Sequence, residues 1–229
     1  KVKDLVVSDR LLGEEYLAAE YFVEEARKQI FGMYGEDVLY EGGLSIRTTL
    51  DTRMQLAARQ ALRKGLEDFD RRHGYRGPLG TLPVDDNWTE ALEAFETPRD
   101  IGDWRVALVL EAKGKTAKLG FFVPDPDPVP EMDNAEELAK ATAEYEAAVK
   151  ANTEAREGTL SVSDIKWAGK ALPEGRFGPA PKVITDAVKA GDVILVQAKT
   201  DAPNKYNLRQ IPEINGGIIA MDPHTGRVL

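Results

Sequence analysis

The sequence predicts an α+β fold: a small β-barrel carrying a helical insertion, beside a helix–strand–helix layer. Three observations carry this. Short apolar-alternating segments bounded by turn residues recur at 104–121, 163–168, 191–197 and 206–211, as the strands of a small barrel do. An Ala- and Glu-rich stretch, 135–157, breaks into that series. Ahead of both, residues 20–70 switch from a helical to a two-residue apolar period and back. The division this implies is 1–78 for the layer, 79–212 for the barrel with its insertion at 124–157, and 213–229 for a further strand pair.

Taken in order, Ser8 or Asp9 suits the N-cap of a helix over LLGEEYLAAEYF. Phe22, Ala26, Ile30 and Met33 continue at helical spacing, and Gly35 suits the end of that helix. In GGLSIRTTLD, residues 42–51, Leu44, Ile46, Thr48 and Leu50 share one face of a strand. This strand is expected to pair with GGIIAM near the chain's end. Asp51 is a good N-cap for the next helix, whose stripe is Met54, Ala58, Ala61, Leu62, Leu66 and Phe69. That unit closes at His73–Pro78.

PVDDNWTEALEAF then gives a short helix capped by Asp86 or Asn87. WRVALVLEAKGKTAKLGF, residues 104–121, reads as a hairpin turning at Lys113–Gly114. PDPDPVPE cannot join a ladder, because proline has no N–H to donate. The following helix has a narrow stripe, Leu138, Tyr145 and Val149, so it is expected to lie on a surface or project from it. The barrel strands are expected within 104–123, 160–168, 191–197 and 205–212. In the last stretch Ile218, Ile219 and Met221 lead into an Asp222-Pro-His-Thr-Gly226 turn.

A formal net charge of −9 disfavours a nucleic-acid role, since phosphate binding needs clustered Lys and Arg. There is no cysteine, which excludes disulfides and thiolate chemistry but leaves the compartment open. No apolar run approaches the roughly 20 residues of a membrane helix, and no signal-peptide pattern is present. Without an initiator Met, and ending within an apolar strand, the sequence reads as a piece of a longer protein.

Four groups of residues carry the letters of a chemistry. Ser163-Asp-Ile-Lys166 matches S-x-x-K, which serves acyl transfer when both side chains share one face of a buried helix. Here Ile165 and Trp167 alternate as in a strand, where positions three apart face opposite ways, so coincidence is the preferred reading. Glu67-Asp68 with His73 holds paired carboxylates, but at the end of an exposed helix these read as a solvated face. Asp125, Asp127, Glu131 and Asp133 offer oxygens to a hard cation, yet interleaved prolines splay them apart, and a linker is preferred. His73 and His224 stand alone in separate turns, too few for a zinc site. Trp88, Trp104 and Trp167 are expected as packing anchors.

Residues 21–62, YFVEEARKQIFGMYGEDVLYEGGLSIRTTLDTRMQLAARQAL, resemble the segment between the two catalytic domains of class A penicillin-binding proteins. QIPEINGGIIAMDPHTGRVL resembles the opening hairpin of their transpeptidase domain, and WRVALVL, GDVILV and YNLRQIPE resemble strands of their inserted OB-like domain. The resemblance implies an OB-like barrel in a bifunctional peptidoglycan synthase, a glycosyltransferase and transpeptidase acylated by β-lactams. It implies a glycosyltransferase ahead of Lys1 and a transpeptidase beyond Leu229, so that no residue here is assigned to catalysis, to a cofactor or to a metal. Ser163 would fall in a barrel strand and Glu67-Asp68 in the linker helix. The partners implied are the two flanking catalytic domains and a cell-wall regulator or peptidoglycan, with no nucleic acid. The membrane would be reached only through an anchor ahead of Lys1, placing the chain in the periplasm. The insertion at 124–157 departs from the family pattern.

Overall fold

The computed structural model describes residues 19–99, 101–129 and 135–226. They fall into two compact units, one running through Leu66 and resuming at Ile214, the other Glu67–Glu213. The expected cap at Ser8 or Asp9 lies outside the described residues.

In the first unit, α1 spans Glu20–Tyr40 and α2 begins at Thr52, running to Arg71 in the second unit. Gly35, expected to end the helix, takes φ 79° with ψ 178°, a positive-φ conformation open to glycine but not that of a helix cap, and helix resumes at once, so the element is kinked rather than finished. Asp51 caps α2 as expected, its Oδ1 accepting from the backbone N–H groups of Arg53 (2.9 Å) and Met54 (3.1 Å). The strand expected at 42–51 does not form. Residues 43–51 join no ladder, and neither do 216–220. Alternation states which face of a strand is apolar, but a strand also needs a neighbour to take its backbone donors and acceptors. Ile46 and Leu50 instead line an apolar groove of about 430 Å³ with Phe22, Val23, Ala26 and Leu39. The turn at Asp222 forms as read: Asp222 accepts from His224 N (2.9 Å) and Thr225 Oγ1 (2.6 Å), and Gly226 takes φ 70°.

The second unit is a closed barrel. Its strands are β1 (Gly80–Thr81), β2 (Trp104–Lys113), β3 (Thr116–Gly120), β4 (Glu157–Ser161), β5 (Asp192–Ala198) and β6 (Lys205–Arg209). β2 pairs antiparallel with β3 and β5, β3 with β4, and β5 with β6. A short parallel pairing of β4 with β6 closes the ring. β1 adds to the edge of β5, pairing Gly80 with Val193. Gly114, at φ 57°, turns the β2–β3 hairpin at the expected place. A bulge between Val109 and Glu111 bends β2 as closure requires.

The barrel interior is filled by Ala107, Val109, Leu119, Phe121, Leu160, Ile194, Val196 and Leu208. The alternating residues Val106, Leu108 and Leu110 of β2 point outward. They pack with Val193 under Trp88, Leu92 and Phe95 of the α3 region (helix Trp88–Glu93). β2 is therefore buried on both faces, which α3 makes tolerable by covering the outside. The oxygen at the start of α3 belongs to Asp85, accepting from Asn87 N (3.0 Å), rather than to Asp86 or the Asn87 side chain.

Two strand expectations are corrected. Residues 163–168 are not a strand: Val162–Asp164 is a 3₁₀ turn, and Ile165 and Ala168 are buried three residues apart. The strand lies just before, at β4, whose inward positions are Gly158 and Leu160. A Cβ at Gly158 would come within 2.4 Å of the Tyr206 ring, so the site admits only glycine, which carries no apolar signal. β6 likewise ends at Arg209 and does not reach 212. α4, Ala135–Ala155, emerges between β3 and β4 and is held at its base by Asn152 Nδ2 donating to the Pro124 carbonyl (2.8 Å).

Candidate functional site

Chain enters the second unit along the last turn of α2 and leaves it after β6, and the two passages are bound to one another at Asp70. This carboxylate is 4% exposed. It accepts from Arg76 Nη1 (2.7 Å), Gln210 Nε2 (2.7 Å) and the Glu213 backbone N–H (3.4 Å). Arg76 spans the gap: its N–H donates to Gln210 Oε1 (2.8 Å), its Nη2 to the Ile211 carbonyl (2.6 Å), and its Nε pairs with Glu213 (3.0 Å). One residue earlier in β6's exit, Arg209 pairs with Glu67 (3.3 Å), donates from its Nε to Gln197 Oε1 (2.9 Å), and lies over Trp104.

Local backbone makes this possible. Gly74 turns at φ 88°, and a Cβ there would meet the Gly169 carbonyl at 2.7 Å. Tyr75 is thereby drawn against 169–171, donating to Gly169 O (2.8 Å) and accepting from Ala171 N (3.0 Å), its ring edge-on to Trp167. Burial, and after it the Asp192 carboxylate, push the Tyr75 phenol above its ordinary range. Between the incoming residues 75–79 and the outgoing 209–213 lies an open notch of about 390 Å³ over Ile194 and Leu195. Every charge of the clasp is met by an opposite one, which is the chemistry of a fastener rather than of a reacting group.

The residues weighed from sequence are not assembled here. Ser163 Oγ contacts Ser161 Oγ and Asp164 Oδ1, both at 3.2 Å, while Asp164 pairs with Lys199 (2.7 Å) and Lys166 is exposed. Glu67 belongs to the clasp, Asp68 is exposed, and His73 Nδ1 lies 2.8 Å from the Phe69 carbonyl. Asp125 pairs with Arg156; Glu131 and Asp133 lie outside the described residues. No cluster of metal-ligating side chains occurs among the described residues. Nor does any described helix have the length and apolarity to cross a membrane. Sequence reasoning missed Asp70, Arg76 and Gln210. Asp70 does fall on the buried side of α2 with Leu62, Leu66 and Glu67, but a charged residue on a helix is normally read as solvated.

Residues 75–214 match the penicillin-binding protein OB-like domain family. The chain belongs to that family. The matched segment runs from Tyr75, after α2, to just past Glu213, so it takes in Arg76, Gln210 and Glu213 of the clasp while Glu67 and Asp70 precede it. Over 217 residues, 94% of the chain, it is 34% identical to penicillin-binding protein 1A of Rickettsia typhi. It is 31% identical to penicillin-binding protein 1A of Pseudomonas aeruginosa and 29% identical to that of Escherichia coli, each over 93% of the chain. The crystal structure of penicillin-binding protein 1A from Haemophilus influenzae shares the fold at 22% identity, with a TM-score of 0.50 over 85% of this chain. The chain spans 22% of the length of the Rickettsia relative and 22% of the Haemophilus chain. The α+β, OB-like barrel is thus a penicillin-binding protein OB-like domain, and the relatives it resembles are of the 1A type.

Proposed function

We propose that the chain is a non-catalytic spacer in a bifunctional peptidoglycan synthase of the bacterial cell wall, acting outside the cytoplasm and reaching the membrane only through the rest of the parent protein. Its work is to set the separation of a glycosyltransferase and a transpeptidase. One observation carries this: the incoming and outgoing passages of the OB-like domain are tied at buried Asp70. A domain fastened at its base can be inserted in a chain without loosening what flanks it. OB folds also bind oligonucleotides, but function belongs to the site and not the fold.

The test uses the full-length parent carrying Asp70→Ala with Arg76→Ala. Glycan polymerisation and β-lactam acylation are expected to persist while cross-linking of newly made strands falls. Unchanged cross-linking would sink the spacer reading. A labelled β-lactam added to the 229-residue chain is expected to leave Ser163 unmodified; labelling there would restore the acyl-transfer alternative.

A further inference from the structure

One surface of the barrel unit has a charge opposite to that of the chain. Residues 68–76 and 166–182 hold seven Lys and Arg against three Asp and Glu, in a protein of net charge −9. One of those three carboxylates, Asp70, is buried and paired with Arg76, itself one of the seven cations, which leaves six against two. Residues 170–178 form a small hairpin: Gly178 N donates to Lys170 O (2.8 Å), Leu172 N to Arg176 O (2.8 Å), and Ala171 faces Phe177. A parallel bridge between Tyr75 and Lys170 lays it beside the end of α2.

The two segments make one continuous surface. The Phe69 and His73 rings stack with centroids 4.3 Å apart, and the Arg72 guanidinium sits 5.6 Å from the Phe69 centroid. Gly175 at the hairpin tip abuts the His73 ring, and Phe177 abuts Gly74. Phe177 is 59% exposed, Phe69 39%. Exposed rings beside cations are costly to leave in water without a use. Rings offer flat apolar faces, which accept the C–H faces of sugars as they accept other apolar groups. Guanidinium groups accept carboxylates with matched, two-pronged geometry.

We propose that this surface binds an anionic glycopeptide, with sugar faces on Phe69 and Phe177 and peptide carboxylates on Arg72 and Arg176. The proposal rests on the cell-wall reading above for the identity of the ligand. Two rivals fit the surface less well. Glu174 stands at the hairpin tip 3.8 Å from Arg176, a loose exposed pair that a single peptide carboxylate can displace but that an anionic membrane would meet as a negative charge at its surface. A nucleic acid carries a charge on every residue and would be repelled by the chain's overall −9, whereas a ligand with one or two carboxylates is tolerated.

The experiment titrates the 229-residue chain with a soluble disaccharide–peptide released from peptidoglycan, following backbone amide shifts. Shifts are expected at Arg72–Gly74 and Gly175–Phe177. Arg72→Ser with Arg176→Ser is expected to weaken binding about tenfold, as loss of charge-assisted bonds does. Amidating the ligand's carboxyl groups should weaken it to a like degree. Phe177→Ala should weaken it independently of charge. All these residues are exposed, so an unchanged melting temperature accompanies each loss. Absence of shifts at millimolar ligand would overturn the proposal, as would binding indifferent to both the charge variant and amidation. Stronger binding of single-stranded DNA or anionic vesicles at physiological salt would overturn it too. Failure here with loss of cross-linking in the clasp variant leaves the spacer standing; the reverse pair of results leaves the binding surface standing.

Discussion

Removing the Asp70 carboxylate leaves the Glu213 N–H without its buried acceptor, Gln210 Nε2 with only the Gly74 carbonyl (3.1 Å), and Arg76 with one carboxylate in place of two. Breaking a buried ion pair from one side costs more than the pair contributes as a whole, because the remaining groups stay desolvated. Arg76 is only 73% shielded and keeps Glu213, so the loss should fall below the fully buried case. Asp70→Ala is expected to lower unfolding stability by about 2–4 kcal/mol in urea titration, with Asp70→Asn between it and wild type. A loss under about 0.5 kcal/mol would show that Asp70 fastens nothing. Gly158 tests packing rather than charge. Its Cβ would lie 2.4 Å from the Tyr206 ring and 2.8 Å from the Phe121 ring, which are stacked on one another. Gly158→Ala is expected to cost about 1–3 kcal/mol, through overpacking between β4 and β6.

Elements obey the same logic in their response to acid. The Thr225 hydroxyl first, then the His224 N–H, hold the Asp222 carboxyl below its ordinary value. A carboxyl depressed in the folded state stabilises its turn above the unfolded value, about 3.9, and that stabilisation is lost as pH falls through the folded value. The Asp222 side-chain carboxyl carbon signal is therefore expected to hold its ionised value from neutrality to about pH 4 and to shift only below it. A midpoint above pH 4.5 would contradict the capped turn. This turn was legible in sequence because its signals are local: Asp, Pro and Gly act through their own backbone. The same holds for Asp51 and for the Gly114 hairpin. What was not legible depended on distant partners. The 42–51 segment has the right alternation but no ladder beside it, β4 has glycine where a strand signal would stand, and the 163–168 apolar residues are spaced for a turn. The clasp was hidden for the same reason, since Asp70 meets Gln210 only across 140 residues of chain.

For the whole molecule, charge and topology are separable. Segment 124–155 holds nine Asp and Glu against two Lys, seven of the nine net negative charges. Topologically it is the tip of one hairpin: Gly120 pairs with Glu157, and Phe121 N donates to Arg156 O (2.8 Å), so the excursion begins and ends at facing positions of β3 and β4. Its apolar anchors, Phe121 and Phe122, lie before the proline run and pack in the two cores. Among the described residues, excising 124–155 and joining Val123 to Arg156 through a short glycine-containing turn removes no buried side chain of either cluster. It also shortens the loop that folding must close, and each halving of loop length saves about 0.6 kcal/mol. The loss of Asn152 Nδ2 to Pro124 O and of the Asp125–Arg156 pair works against this by a similar amount. The excised protein is therefore expected to unfold in urea within about 1 kcal/mol of the intact chain, with a clearly higher isoelectric point. Its glycopeptide binding should be equal or tighter, since the cationic surface then faces less opposing charge. A stability loss of several kcal/mol would mean that α4 is part of the barrel's structure and not an appendage between two of its strands.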